Sequence, residues 1–192
     1  MNLAMNKPAL LVMDMQNGIV SRMKDNPEML RSVQKSVEAA RKANVPVFFV
    51  RVAFSDGYPE VGSRNKAFSR IAQFGGMTVS DDATQIHESV RPMNGEVVIT
   101  KYRVSAFAGS NLEVILRAQQ IDTLILTGIA TSGVVLSTLR EAADKDFAIK
   151  VLSDACADAD DEVHRVLMEK VFPRQADVLT VDDWTHELEA ID

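Results

Sequence analysis

The feature that most constrains this chain is the stretch Leu124–Phe147, LILTGIATSGVVLSTLREAADKDF. An apolar run gives way to a glycine-bearing turn, and then to Val135, Leu139 and Ala142 at helical spacing. This reads as strand, tight turn and helix. A short strand without polar alternation is buried on both faces, which suits a parallel sheet covered by helices. A turn of this kind presents backbone N–H groups and one or two side chains at the carboxyl edge of such a sheet. The residues on offer are Ser132, Gly133, Val134 and Val135, none of them a cysteine.

The same alternation runs through the chain. Ala9–Asp14 is a short apolar strand, and Asn26-Pro27-Glu28 opens a helix with Asn as cap and Pro at the first position. Leu30, Val33, Val37 and Ala40 give that helix its apolar face. Further strands are predicted at Val47–Ala53, Val97–Thr100 (ending at Lys101), Thr123–Thr127, Ala148–Leu152 and Ala176–Thr180. Helices are predicted from a capping box at Ser110–Glu113, from Val163, Val166, Leu167 and Val171, and from Asp182 or Asp183. Six βα-like units with no run of hairpin turns predict an α/β fold with a parallel, doubly wound sheet, as one domain over residues 1–192. Residues 55–95 break the pattern. They are polar and carry Gly57, Gly62, Gly75, Gly76 and Gly95. Two readings fit them: a lid or rim over a pocket, or a surface excursion with a small hairpin.

Charge and cysteine content narrow the function classes. A net charge of −6 without a basic run argues against a nucleic-acid partner. The lone Cys156 excludes an internal disulfide framework and fits a reducing compartment. No apolar run approaches the roughly 20 residues of a membrane span, and the apolar run from Ala9 is stopped by Asp14, unlike a signal peptide. A cytoplasmic protein without membrane contact is expected. No G-x-G-x-x-G or P-loop is present, so no nucleotide cofactor is indicated.

Ligands of open parallel sheets bind beyond the carboxyl ends of strands. The residues there are Asp14, Gln16 and Asn17 after the first strand, Lys101 after the third, and Gly128–Val134 after the fourth. An acid, an ammonium and a row of amides make a plausible site for small-molecule chemistry. Lys101 beside Asp14 lowers the carboxyl's pKa while burial raises it, and the sequence does not say which prevails. Gln16 is either a substrate contact or a buried structural amide. Arg51, Arg64, Arg70 and Arg103 are candidates to clamp a carboxylate, with Arg103 the best placed. Phe54, Tyr58, Phe68 and Phe74 either wall a pocket or form a satellite core. Cys156, just past a strand, reads as a packed thiol. Ser132 lacks a G-x-S-x-G elbow and an obvious histidine, so it reads as a hydrogen-bonding residue and not a nucleophile. His164 falls on the polar side of its helix, and Trp184 packs the terminal helix on the sheet.

Three motifs in order, LLVMDMQN, KYRVSAF and LTGIATSGVVLSTLREAADKDF, resemble those of the isochorismatase-like hydrolases, the cysteine hydrolase superfamily. The resemblance implies a Rossmann-like three-layer α/β/α sandwich, a homodimer or homotetramer, and a cis peptide at Ile129–Ala130. It also implies an Asp–Lys–Cys site. Asp14 and Lys101 match the first two members, and Val134 stands where the nucleophilic cysteine belongs. A valine cannot form a thioester, so amidase chemistry is not expected. The histidines of a metal site are missing from RVAFSDGYPE, so neither metal nor cofactor is expected. KYRVSAF is close to the K-W-R-Y-S-A-F pattern of isochorismatases, which hydrolyse a vinyl ether without a nucleophilic side chain. The expected site is Asp14 as proton donor and Lys101 as its partner. Substrate contacts are expected at Gln16, Phe54, Tyr58, Arg103, Ile129, Ala130, Ser132 and Gly133. The rival expectation is a small-molecule binder that kept the pocket and lost the thiol.

Overall fold

Side-chain alternation along the first strand sorts the two faces of the sheet. In the computed structural model, which describes residues 6–23 and 26–190, β1 spans Pro8–Met13. Its Ala9, Leu11 and Met13 enter one apolar layer and Leu10 and Val12 the other, with all five buried. β1 lies inside a six-stranded, all-parallel sheet with β2 (Val47–Val52), β3 (Val97–Lys101), β4 (Thr123–Ile129), β5 (Ala148–Ala157) and β6 (Asp177–Leu179). The strand order is β3-β2-β1-β4-β5-β6.

Among the described residues, two short α-helices, α1 (Asn17–Val20) and α3 (Ile71–Phe74), accompany five longer ones. These are α2 (Pro27–Lys42), α4 (Leu112–Ala118), α5 (Leu136–Asp144), α6 (Asp161–Val166) and α7 (Val181–Glu189). Met29, Val33, Val37 and Ala40 of α2 join Val181 and Trp184 of α7 against one face. Leu112 and Leu116 of α4, Leu139 and Ala142 of α5, and Leu167 and Phe172 cover the other. The doubly wound α/β fold expected from the alternation is present, and Trp184 packs as expected.

Local signals succeed where the chemistry is local. The Asn26 side chain accepts a 3.0 Å hydrogen bond from the Met29 N–H, with Pro27 opening the helix. The Ser110–Glu113 capping box does not form. α4 starts at Leu112, Ser110 Oγ accepts from the Leu112 N–H, and Glu113 pairs instead with Lys145 at 2.7 Å. A reciprocal box does form between Thr180 and Asp183, so α7 begins at Val181, ahead of the expected acids. Val163 is on the outer side of α6 and 37% exposed, so it is not part of the helix's apolar face. β5 runs on to Ala157 and contains Cys156, which pairs with Gly128 after a register shift. The polar Ser153 and Asp154 hide this extension in the sequence. Asp154 accepts from the Val181 N–H at 2.9 Å and anchors α7.

Residues 55–95 contain no hairpin among the described residues. Their strand-like contacts are two isolated bridges, Gln16 with Ile86 and Phe54 with Thr78. Residues 78–90 lie as a strap across the chain that leaves β1. The Asn17 N–H donates to the Gln85 carbonyl, the His87 N–H to the Met15 carbonyl, and Asn17 Nδ2 to the Asp82 carbonyl. No helix among the described residues is long and apolar enough to cross a membrane.

Candidate active site

Strand order reverses between β1 and β4, so connections leave these strands toward opposite faces, and the carboxyl ends at such a reversal are where open parallel sheets bind their ligands. Asp14 is the first residue past β1. It has φ 57, in the left-handed region that Asp tolerates better than most side chains, and its N–H donates to the Val50 carbonyl at 2.8 Å. Lys101 closes β3 opposite Val52. Its Nζ lies 3.1 Å from Asp14 Oδ2 and donates to the Arg103 carbonyl at 2.9 Å. Both side chains are almost sealed from solvent, Asp14 at 6% and Lys101 at 1% exposure.

Burial prevails over the ammonium. The Asp14 carboxyl is pushed from 3.8 up to about 6 by removal from water, although Lys101 pulls it down by its charge and its hydrogen bond. Asp14 Oδ1 is buried without a hydrogen-bond partner, so one carboxyl oxygen is uncommitted. A carboxyl poised near neutrality, with a fixed cation to stabilise its conjugate base, is suited to give and retake a proton.

Gln16 belongs to the frame. It is fully buried, its Nε2 donates to the Val52 and Thr84 carbonyls at 2.9 and 3.0 Å, and its Oε1 accepts from the Val52 N–H at 2.9 Å. These bonds join the end of β1 to the end of β2 and to the strap, so the substrate contact expected of Gln16 is not what the geometry shows. Removing the amide orphans three backbone groups at roughly 1–3 kcal/mol each, partly relieved by relaxation. Gln16→Leu is therefore expected to lose about 3 kcal/mol in urea unfolding, and a loss under about 1 kcal/mol would contradict this role.

The turn after β4 is equally committed. The Ile129–Ala130 peptide is cis. The Ser132 N–H donates to Asp158 Oδ2 at 2.7 Å and the Gly133 N–H to the Ala130 carbonyl at 3.1 Å, so neither amide is free for a ligand as expected from sequence. Ile129 is buried, Ala130 is half-buried, and Val134 is 2% exposed within the core layer that includes Val135 and Leu139. Thr131 Oγ1 lies 2.7 Å from His164 Nδ1. His164 is half-buried and does not lie on an open polar face; burial holds its pKa below the usual histidine value despite Asp158 and Asp161 nearby. Sequence reasoning sought a histidine for Ser132 and missed the one serving its neighbour. The two residues are 33 apart in the chain, and nothing in the linear pattern links them.

The remaining candidates fall outside the Asp14–Lys101 pair. Arg103 meets Lys101 only through its backbone carbonyl. Its guanidinium donates to the Tyr102 and Glu60 carbonyls at 2.5 and 2.9 Å and lies over Phe68, which does not fit a free carboxylate clamp. Arg51 is turned to Thr100, Val79 and Gln85, while Arg64 and Arg70 are exposed. Phe54 is fully buried among Val52, Phe68, Tyr58 and Tyr102, and the Tyr58 hydroxyl accepts from the Met77 N–H at 3.1 Å. These aromatics form a satellite core, and Phe74, 81% exposed, walls nothing. Cys156 is buried, and desolvation pushes its thiol up to about 12, far from a reactive thiolate. Among the described residues, no group of three or more His, Cys, Asp or Glu is placed to hold a metal ion.

The chain and its fold have counterparts among known proteins. The Isochorismatase domain model matches residues 8–183. The uncharacterized isochorismatase family protein YwoC of Bacillus subtilis (strain 168) is 30% identical over 188 residues, covering 98% of this chain and 97% of that protein. An isochorismatase family protein from Burkholderia thailandensis superposes with a TM-score of 0.86 at 27% identity, over 95% of this chain and 96% of that one. N-carbamoylsarcosine amidase from Thermoplasma acidophilum superposes with a TM-score of 0.74 at 30% identity, over 92% and 97%. Sheet order, the match along nearly the whole chain and these relatives agree: the chain belongs to the isochorismatase family of hydrolases.

Proposed function

We propose that this protein hydrolyses a small carboxylated vinyl ether of the isochorismate type by acid-assisted addition of water, without a covalent intermediate. The observation that carries this reading is the Asp14 carboxyl, raised to about 6 and with Oδ1 unpartnered, beside the buried Lys101 ammonium. Protonated Asp14 gives its proton to the terminal enol carbon, and the ether oxygen stabilises the resulting oxocarbenium ion. Water adds to that cation and loses a proton, and the hemiketal breaks its carbon–oxygen bond to yield pyruvate and the alcohol. The carboxylate left on Asp14 is held by Lys101 until it is reprotonated. Val134 supplies no nucleophile, which this route does not need.

The test is pyruvate release from isochorismate by the purified protein. Since the active form of Asp14 is protonated, kcat/KM is expected to fall as pH rises through about 6. Asp14→Ala is expected to lower it by about 10²- to 10⁴-fold. No pyruvate from the wild type would overturn the reading. A second reading rests on Val134 and on the relative named as an amidase: a pocket kept for binding after loss of the thiol. Hydrolysis of N-carbamoylsarcosine by Val134→Cys, with no pyruvate from the wild type, would favour it.

A further inference from the structure

The β4–α5 turn is held from outside by one neighbouring segment. Asp158, just past β5, accepts the Ser132 N–H, and His164 of α6 meets the Thr131 hydroxyl. Both grips fall within residues 131–132, immediately after the cis Ile129–Ala130 peptide and ahead of Val134. We propose that Asp158 and His164 are positioning residues, a pair of clamps by which the β5–α6 connection sets where the 130–134 turn stands against Asp14 and Lys101.

Three observations support this assignment. The Thr131 side chain is fully buried, so its hydroxyl needs an internal partner, and His164 supplies one at 2.7 Å. Asp158 is itself anchored: partial burial opposes its charge, yet hydrogen bonds from Ser132 and from the Asp160 and Ala159 backbones hold its carboxyl below the usual carboxylate range. It therefore remains an anion, and a charged acceptor makes the stronger bond to an N–H. Finally, α6 reaches the turn with its own start capped by Asp160, whose Oδ1 accepts from the Glu162 and Val163 N–H groups, so the helix carrying His164 is fixed at the end nearest the clamp. The hydrogen bonds of Asp158 and His164 run to residues 131, 132 and 160 and not to Asp14 or Lys101, so their effect passes through the turn. A shift of about 1 Å at such a support costs up to about 100-fold in rate.

The experiment joins amide hydrogen exchange at Ser132 and Gly133 with kinetics of pyruvate release, comparing wild type with Asp158→Ala, His164→Leu and Thr131→Val. His164→Asn, which keeps a polar atom near the Nδ1 position, and Thr131→Ser serve as conservative controls. Disruptive variants are expected to exchange at these amides at least about 10-fold faster and to lose about 10- to 100-fold in kcat, with KM within about twofold. His164→Asn and Thr131→Ser are expected to stay near wild type in both. Unchanged exchange in Asp158→Ala and His164→Leu, or faster exchange with unchanged kcat, would overturn the proposal. The kinetic arm rests on the vinyl-ether reading. If the wild type releases no pyruvate, that reading fails while the exchange result still decides whether the clamps hold the turn.

Discussion

Gly128→Ala is expected to leave little soluble protein and to cost at least about 4 kcal/mol in any fraction that folds. Gly128 has φ +135, a conformation L side chains rarely adopt, and an added Cβ would lie 2.0 Å from the Met13 carbonyl oxygen and 2.8 Å from its carbon. Those atoms belong to the backbone of β1, paired with Gly128 in register, so no side-chain rotation relieves the clash. Relief requires β1 and β4 to part beside Asp14. Soluble yield and urea unfolding measure the effect. Gly57→Ala is the control: its φ is +78 but nothing lies within 4 Å, so only the backbone conformation is penalised, by about 1–2 kcal/mol. Equal losses in the two variants would show that the close strand contact is unimportant.

Lys101→Met is expected to destabilise the protein by about 3–5 kcal/mol near pH 8 and far less near pH 5. In the wild type the folded Asp14 carboxyl titrates at about 6 against 3.8 as the ordinary value. The folded state thus holds that proton more tightly than the unfolded chain. Its contribution is fully present below 3.8 and is lost as pH rises through 6. Without the ammonium the folded pKa rises further, and at alkaline pH the ionised carboxylate is buried alone. Asp14→Asn strands Lys101 instead and lacks this titrating group, so its deficit against wild type is expected to shrink by roughly 1 kcal/mol from pH 5 to about 8 as the wild type loses that contribution. The double variant Asp14→Asn/Lys101→Met is expected to recover much of either loss, because no uncompensated charge remains. Unfolding measured across pH checks all three, and a pH-independent loss in Lys101→Met would contradict the account of Asp14.

Raising a carboxyl in this way means that the folded state bears a cost of about 3 kcal/mol at alkaline pH to keep Asp14 buried. The same cost places the proton within reach of a substrate near neutrality. Around it, Gln16, the strap over 78–90 and the clamped turn are tied together by hydrogen bonds.

Much of this was legible in the residues alone. Unbroken apolar runs mark doubly buried strands, the 3.6-residue spacing of Val33, Val37 and Ala40 marks a helix face, and Asn26-Pro27 marks a helix start. Each rests on interactions between residues a few positions apart. The ends of β1, β3 and β4 follow from those runs, and with them the candidates Asp14, Lys101 and the 128–134 turn. Only the tertiary structure decided what these groups are free to do. Gln16 and Gly133 are consumed by backbone partners and the Ser132 N–H by the Asp158 carboxylate, Arg103 is tied to carbonyls, and Phe54 and Tyr58 belong to a satellite core. His164 turns out to serve Thr131. Proton affinity and hydrogen-bond commitment depend on distances between segments far apart in the chain and on how completely water is excluded, and local periodicity carries neither quantity.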